Sequence, residues 1–169
     1  MSELRVGLGV DAHAFADGVP LVLGGVAIES PRGLAGHSDG DVIAHALIDA
    51  LLGGAGLGDI GSLFPSGEPE WEGASSLDLL RRAAAQVRDA GWKLVNADCI
   101  LIGEEPRIAP LRQQMRECLA EAVEADPERI NVRATTTDKL GFTGRGQGLA
   151  AQAVALVERG GGAGGSSPK

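Results

Sequence analysis

The stretch Leu4-Arg5-Val6-Gly7-Leu8-Gly9-Val10-Asp11-Ala12-His13 decides how the rest of the chain is read. Its apolar residues alternate with Arg and Gly, as a half-buried strand over 4–10 requires. The two glycines leave room for another backbone to come close. Asp11 and His13 leave the end of this strand on a shared face, so both could address one ion. Gly7-Leu8-Gly9-Val10-Asp11-Ala12 also satisfies the loose dinucleotide fingerprint, which works only when a helix comes directly after it to receive a pyrophosphate. The next residues are His13-Ala14-Phe15-Ala16-Asp17-Gly18-Val19-Pro20, too short and broken a run for that helix. The nucleotide-fold reading is rejected.

Outward from this strand, Leu21-Val22-Leu23 and Val26-Ala27-Ile28 flank Gly24-Gly25, a pair that supplies the positive φ of a two-residue hairpin turn. Ser38 to Leu52 reads as a helix, with Ser38 and Asp41 approximating a capping box and Gly53-Gly54 ending the run. Residues 59–75 are rich in Gly, Pro and acidic side chains and read as a long functional loop. Ser76 then caps a helix with apolar residues at 77, 80, 84 and 87, closed by Gly91. Lys93 to Ile102 is a strand, and Pro110 opens a helix striped by Leu111, Met115, Leu119 and Val123. Ile130 to Thr137 is a β-branched strand, and Gly148 to Val157 reads as a last helix. This order predicts an α/β (α+β) sandwich: a mixed β-sheet with helices packed on one face, plus a short N-terminal β-hairpin. Residues 1–159 form one domain. The tail 160–169 is too Gly- and Ser-rich to fold and is expected to be disordered.

Composition narrows the partners. A net charge of -8 without any basic stripe argues against nucleic acid. No apolar run approaches the roughly 18 residues of a membrane span, and the first residues lack a signal-peptide layout. Cys99 and Cys118 each sit in apolar surroundings, as free buried thiols of a reducing compartment would. The expected location is cytoplasmic.

All three histidines, His13, His37 and His45, lie early in the chain. His45 sits on the helix between Asp41 and Asp49, a polar stripe among Val, Ile, Ala and Leu. Two imidazoles and a carboxylate suit Zn²⁺, and three protein ligands leave a fourth position open, as a catalytic site needs. Spacing alone also allows a capping Asp11 and two hydrogen-bonded histidines. His37-Ser38-Asp39-Gly40-Asp41 at a helix start offers N–H groups to an anion, or simply caps the helix. Thr135-Thr136-Thr137-Asp138-Lys139 through Arg145-Gly146 could cradle phosphates or form a solvated loop; it is not a Walker loop.

Taken together, Gly9-Val10-Asp11-Ala12-His13, His37-Ser38-Asp39-Gly40-Asp41-Val42, Leu57-Gly58-Asp59-Ile60-Gly61 and Thr135 through Gly146 resemble the 2-C-methyl-D-erythritol 2,4-cyclodiphosphate synthase family, in its order, from about residue 5 to 157. The resemblance implies conversion of 4-diphosphocytidyl-2-C-methyl-D-erythritol 2-phosphate into the cyclic diphosphate with release of CMP, in non-mevalonate isoprenoid synthesis. It implies Zn²⁺ on Asp11, His13 and His45, and a second divalent ion, Mg²⁺ or Mn²⁺, arriving with substrate. His37 and Thr136 match positions regarded as transition-state stabilisers. Asp11, Ala12, His13, His37 and Ser38 would meet the erythritol and its phosphates, and Asp59, Ile60 and Gly61 the ribose. Phe64, Pro65, Ser66, Gly67 and Glu68 would line a mobile flap. Gly103, Glu104, Glu105, Pro106, Arg107, Ile108 and Ala109 would accept cytosine through backbone groups. Thr135, Thr136, Thr137 and Asp138 would hold the nucleotide phosphates, with Phe142 and Arg145 as further contacts. A homotrimer with sites between subunits is implied as well. The chain departs from the family's usual residues at Val10, Ser66, Arg107, Asp138 and Gln147, and at no metal ligand. The alternative from another class is a non-catalytic zinc-binding module, which would have no need of the cluster from Thr135 to Arg145.

Overall fold

The alternation that begins at Leu4 carries well beyond Val10: strand β1 spans Glu3–Asp17, so Asp11 and His13 lie within it, not past its end. The computed structural model describes residues 2–160. The rest of the expected tail, 161–169, lies outside the described residues. After β1 come β2 (Leu21–Leu23), β3 (Val26–Ile28) and β4 (Arg32–Leu34), then helices α1 (Val42–Ala55), α2 (Ile60–Leu63) and α3 (Ser76–Asp89). Strand β5 (Lys93–Ile102), helix α4 (Arg112–Val123), strand β6 (Ile130–Thr135), helix α5 (Gly141–Gly144) and strand β7 (Gly148–Arg159) complete the chain.

The last element corrects the sequence reading. Residues 148–159 form the central strand of the sheet, not a helix, in the order β4-β1-β7-β5-β6. Alanine-rich composition favours a helix in isolation, but tertiary pairing overrides propensity. β7 is antiparallel to β1 on one side and to β5 on the other, while β5 and β6 run parallel. Its burial has period two, with Ala151, Ala153, Ala155 and Val157 turned inward against the helices. These side chains are small because α1 lies almost on the sheet. A Cβ added to Gly7 would stand 1.8 Å from the Ala50 carbonyl oxygen of that helix.

Other boundaries shift for local reasons. Asp41, not Ser38, caps α1, because Gly40 turns at a φ of 72° just before it. The helix passes through Gly53 and Gly54 and ends at Gly56, in the left-handed region at a φ of 72°. Ser75 rather than Ser76 precedes α3, and β6 ends at Thr135, two residues short of the expected Thr137. The stretch 59–75 contains α2 and a 3-10 turn at Pro69–Trp71. The Gly24-Gly25 hairpin is present, with φ of 56° and 78° at its turn.

Helices α1 and α4 lie against one face of the sheet, α3 packs on both of them, and together they enclose the core of Leu47, Ile48, Leu51, Leu80, Leu101 and Met115. The opposite face is apolar along β1 and β7, where Leu4, Val6, Leu8, Val10 and Val154 are all 44% or more exposed. Farther across, on β5 and β6, that face turns polar through an Asp98–Arg133 ion pair. Cys99 is buried and unpaired, and burial pushes its thiol up to about 12, whereas Cys118 is only partly buried. No helix of the described residues is long and apolar enough to cross a membrane.

Candidate functional site

Three polar residues spaced along one face of α1 go to three different tasks. Asp41 is fully buried and accepts hydrogen bonds from the N–H groups of Ile43 and Ala44, and from Gly24 and Gly25 across the hairpin. It therefore fixes the hairpin to the start of α1; its burial pushes the carboxyl up against the pull of those N–H groups. Asp49 accepts from the Ile60 N–H at 2.7 Å and anchors the start of α2. His45, between them, turns toward β1.

There it meets Asp11 and His13. His45 Nδ1 lies 3.0 Å from Asp11 Oδ2, and His13 Nε2 lies 2.8 Å from the same oxygen. The two imidazoles approach edge to face with centroids 5.4 Å apart. Asp11 and His13 share the helix-facing side of β1 with Gly7 and Gly9, and the bare glycines let α1 come near enough for His45 to reach them. Burial raises the Asp11 carboxyl, yet hydrogen bonds from His13 and His45 outweigh it and hold Asp11 well below the ordinary carboxylate range. The Asp11 hydrogen bond in turn raises His13 above its ordinary value, against partial burial.

One ligand atom from each of Asp11, His13 and His45 lies within 4.8 Å of the others, close enough for a single ion to bind all three. Two nitrogens and one carboxylate oxygen, a net single negative charge when both histidines are neutral, fit a borderline divalent cation. The three residues fit a metal.

The trio floors a cavity of about 490 Å³ whose walls include His37, Ser38, Ile60, Gly61, Trp71 and the flap from Phe64 to Gly67. Phe64 packs edge-on against Trp71, centroids 5.1 Å apart, which closes one side of the flap. Asp59 caps α2 by accepting from the N–H and the hydroxyl of Ser62. Its side chain serves the start of the helix while Ile60 and Gly61 face the cavity. Glu68 and Ala12 do not line it.

The remaining expected residues form a different place. Gly103, Glu104, Glu105, Pro106, Arg107, Thr135 and Thr136 line a separate cavity of about 330 Å³ at the end of β5 and β6. Glu104 accepts the Lys139 N–H at 3.1 Å, tying the 103–109 loop to the loop after Thr135. Thr136 donates to Asp138, 3.2 Å away, and Thr137 donates to the Leu140 carbonyl at 2.6 Å. Ile108 is buried in the core, and Phe142 and Arg145 are exposed. Asp11 stands on β1 and Thr135 on β6, three strand spacings or about 14 Å apart across the sheet. Within one chain the two groups are not brought together.

Sequence reasoning missed Ser76 and Asp39 as companions of the metal trio. Ser76 Oγ lies 2.9 Å from His45 Nε2, and Ser38 Oγ lies 3.0 Å from it. Asp39 accepts from both the Ser76 hydroxyl and, at 3.1 Å, the Ser76 N–H.

The model of the YgbB family matches residues 4–158. A 2-C-methyl-D-erythritol 2,4-cyclodiphosphate synthase from Rubrobacter xylanophilus is 56% identical over 162 residues, 94% of this chain and 98% of the relative. A protein of the same name from Geobacillus kaustophilus is 50% identical over 92% of this chain and 98% of its own length. Among solved structures, the bifunctional IspDF of Campylobacter jejuni superposes with a TM-score of 0.91 at 42% identity, covering 95% of this chain and 43% of that one. A 2-C-methyl-D-erythritol 2,4-cyclodiphosphate synthase solved with CDP superposes with a TM-score of 0.82 at 39% identity, over 90% of this chain and 99% of that one.

Proposed function

The chain belongs to the YgbB family, and we propose from that premise how its cleft carries out the family's cyclisation. The protein is an enzyme, a 2-C-methyl-D-erythritol 2,4-cyclodiphosphate synthase acting in isoprenoid biosynthesis. The observation that carries the mechanism is the convergence of Asp11, His13 and His45 in the floor of a cavity walled by a loop flap.

In the proposed reaction the 2-phosphate of 4-diphosphocytidyl-2-C-methyl-D-erythritol 2-phosphate attacks the β-phosphorus. A phosphorus–oxygen bond forms there, the bond from β-phosphorus to the bridging oxygen breaks, and CMP departs with that oxygen. Such a transfer asks the protein for alignment and charge neutralisation rather than for a covalent nucleophile. Asp11, His13 and His45 would hold Zn²⁺, which when bound supplies positive charge to the β-phosphate oxygens. A second divalent ion, Mg²⁺ or Mn²⁺, would come with the substrate phosphates. His37 and Ser38 face the same cavity and hold the erythritol phosphate. Ile60 and Gly61 orient the ribose, with Asp59 fixing their loop, and Phe64 to Glu68 shield the reacting phosphates from water.

The cytidine half would be met by Gly103 to Ala109, Thr135 to Asp138, Phe142 and Arg145. These lie around a separate cavity in this chain, so the complete site needs a second copy. The apolar stripe of Leu4, Val6, Leu8, Val10 and Val154 supports a homotrimer packed about the outer faces of β1 and β7, each site lying between two subunits. Free thiols at Cys99 and Cys118 support a cytoplasmic location.

The test is His45→Ala. Removing one of three ligands should abolish both bound zinc, by elemental analysis, and CMP release from the diphosphocytidyl substrate. Full zinc with undiminished turnover would overturn the assignment.

A further inference from the structure

His45 presents Nδ1 to Asp11 and His13, so its other ring nitrogen, Nε2, points away from the metal trio. An imidazole can give a lone pair to an ion through Nδ1 only when Nε2 carries the proton, and that proton then needs an acceptor. Ser76 is fully buried, with Oγ 2.9 Å from Nε2. A serine hydroxyl has one proton to give. Here the Asp39 carboxylate takes it, because that carboxylate can only accept and its other oxygen already receives the Ser76 N–H. With its proton committed, Ser76 can only accept from His45. The chain of donors thus runs one way, from His45 Nε2–H to Ser76 Oγ–H to Asp39.

We propose that Ser76, backed by Asp39, is a positioning residue that holds His45 with its proton on Nε2 and its Nδ1 lone pair free for the ion. The inference rests on the metal reading of Asp11, His13 and His45. Ser38 completes the arrangement: its Oγ lies 3.0 Å from the same Nε2, accepts the Gly40 N–H at 3.3 Å, and lies 3.3 Å from Ser76 Oγ, to which, with the Ser76 proton committed to Asp39, it can only donate. The pairing also joins two elements distant in sequence. Ser76 is the first residue of α3, and Asp39 belongs to the turn that starts α1, so the docking of α3 onto α1 sets the orientation of a ligand borne by α1.

The test uses the full chain. Zinc affinity is measured by chelator competition for the parent protein and for Ser76→Ala, Ser76→Thr and Ser75→Ala. Loss of a group that orients a metal-ligating histidine weakens binding by about tenfold to a hundredfold, and that drop is expected for Ser76→Ala. Ser76→Thr, which keeps the hydroxyl, should recover most of it. Ser75→Ala should bind as the parent does, because Ser75 makes no side-chain capping bond at the same helix end. The electronic spectrum of the Co²⁺-substituted protein should shift in Ser76→Ala alone. Unchanged zinc affinity and an unchanged Co²⁺ spectrum in a folded Ser76→Ala would overturn the proposal. A parent protein that binds no zinc would instead remove the metal reading itself. Should Ser76→Ala not fold, the ¹⁵N spectrum of the zinc-loaded parent decides: a protonated, hydrogen-bonded Nε2 on His45 is expected, and an unprotonated Nε2 overturns the inference.

Discussion

Gly9 lies so close to helix α1 that a Cβ built on it would stand 1.8 Å from the carbonyl oxygen of Ala46. The obstruction is backbone on a buried helix, so no side-chain rotation can relieve it. Ala46 is the neighbour of His45, and Gly9 lies two residues before Asp11. The closeness of strand and helix is therefore also what lets Asp11 and His45 meet. Gly9→Ala should destabilise the fold by about 3 kcal/mol through overpacking. It should also weaken zinc binding in whatever fraction stays folded. Denaturant unfolding and chelator competition measure the two effects. A variant as stable as the parent would show that α1 can retreat from the sheet at little cost.

The same glycine explains why part of the design was legible in the sequence. Gly7 and Gly9 in an alternating strand announce a close approach, and Asp-x-His on such a strand puts both ligands on one face. His45, a polar residue on an otherwise apolar helix, could be matched to them by chemistry alone. β7 could not be read so simply. Its Ala151, Ala153 and Ala155 are small because α1 presses on them, but alanine in sequence speaks first for a helix. With β7 mistaken, the distance between the metal trio and Thr135 could not be derived, because β7 lies between β1 and β5. Ser76 was hidden for a different reason. It is 31 residues from His45, and a serine at a helix start already has an ordinary meaning as a cap.

Proton competition at the metal trio has a definite sign. His13 is raised above its ordinary 6.5 by its bond to Asp11, so in the metal-free protein protons contend for that ligand at pH values above 6.5. Apparent zinc affinity should fall about tenfold per pH unit for each proton taken up, beginning above pH 6.5. Asp11, held far below its ordinary 3.8, adds nothing until much stronger acid. The stability of the metal-free protein runs the other way. His13 contributes stability fully below its unfolded value of about 6.5, and this is lost as pH rises through its raised folded value. Asp11 contributes above about 3.9, and its share is lost only as pH falls toward its lowered folded value. The metal-free protein should therefore be best supported by this pair between about pH 4 and 6.5. Chelator competition and thermal melts across pH check both slopes, and zinc affinity independent of pH from about 8 to 6 would contradict the first.

The outer face of the sheet makes a separate prediction about assembly. Leu8 is 62% exposed in the single chain, in the middle of the apolar stripe. In a monomer, Leu8→Glu should change stability by no more than about 0.5 kcal/mol, as surface substitutions usually do. In a trimer packed on that stripe it would bury a charge in each subunit and drive dissociation. Sedimentation should show trimers for the parent and smaller species for the variant, with a folded circular dichroism spectrum in both. Activity should be lost along with assembly. A Leu8→Glu protein that remains trimeric would place the interface elsewhere.

The division of the site between chains can be tested without any structure of the assembly. In the proposed shared site, His45→Ala would break the metal half, and Thr136→Ala the nucleotide half, where the Thr136 hydroxyl donates to Asp138 at 3.2 Å in the free chain. Each variant alone should be inactive or nearly so. Unfolded, mixed in equal amounts and refolded, they should combine at random into cyclic trimers. A site is then whole only when its metal half comes from the Thr136→Ala chain and its nucleotide half from the His45→Ala chain. Those choices are independent, each with a chance of one half, so about a quarter of the sites should regain activity. Sites contained within one chain would give none, because every chain in the mixture carries a defect. The residual turnover of Thr136→Ala by itself sets the baseline, and native mass spectrometry confirms that mixed trimers formed. Mixed trimers without activity above that baseline would show that both halves belong to the same chain, and that the separation of the two cavities across the sheet must be closed by movement within a subunit.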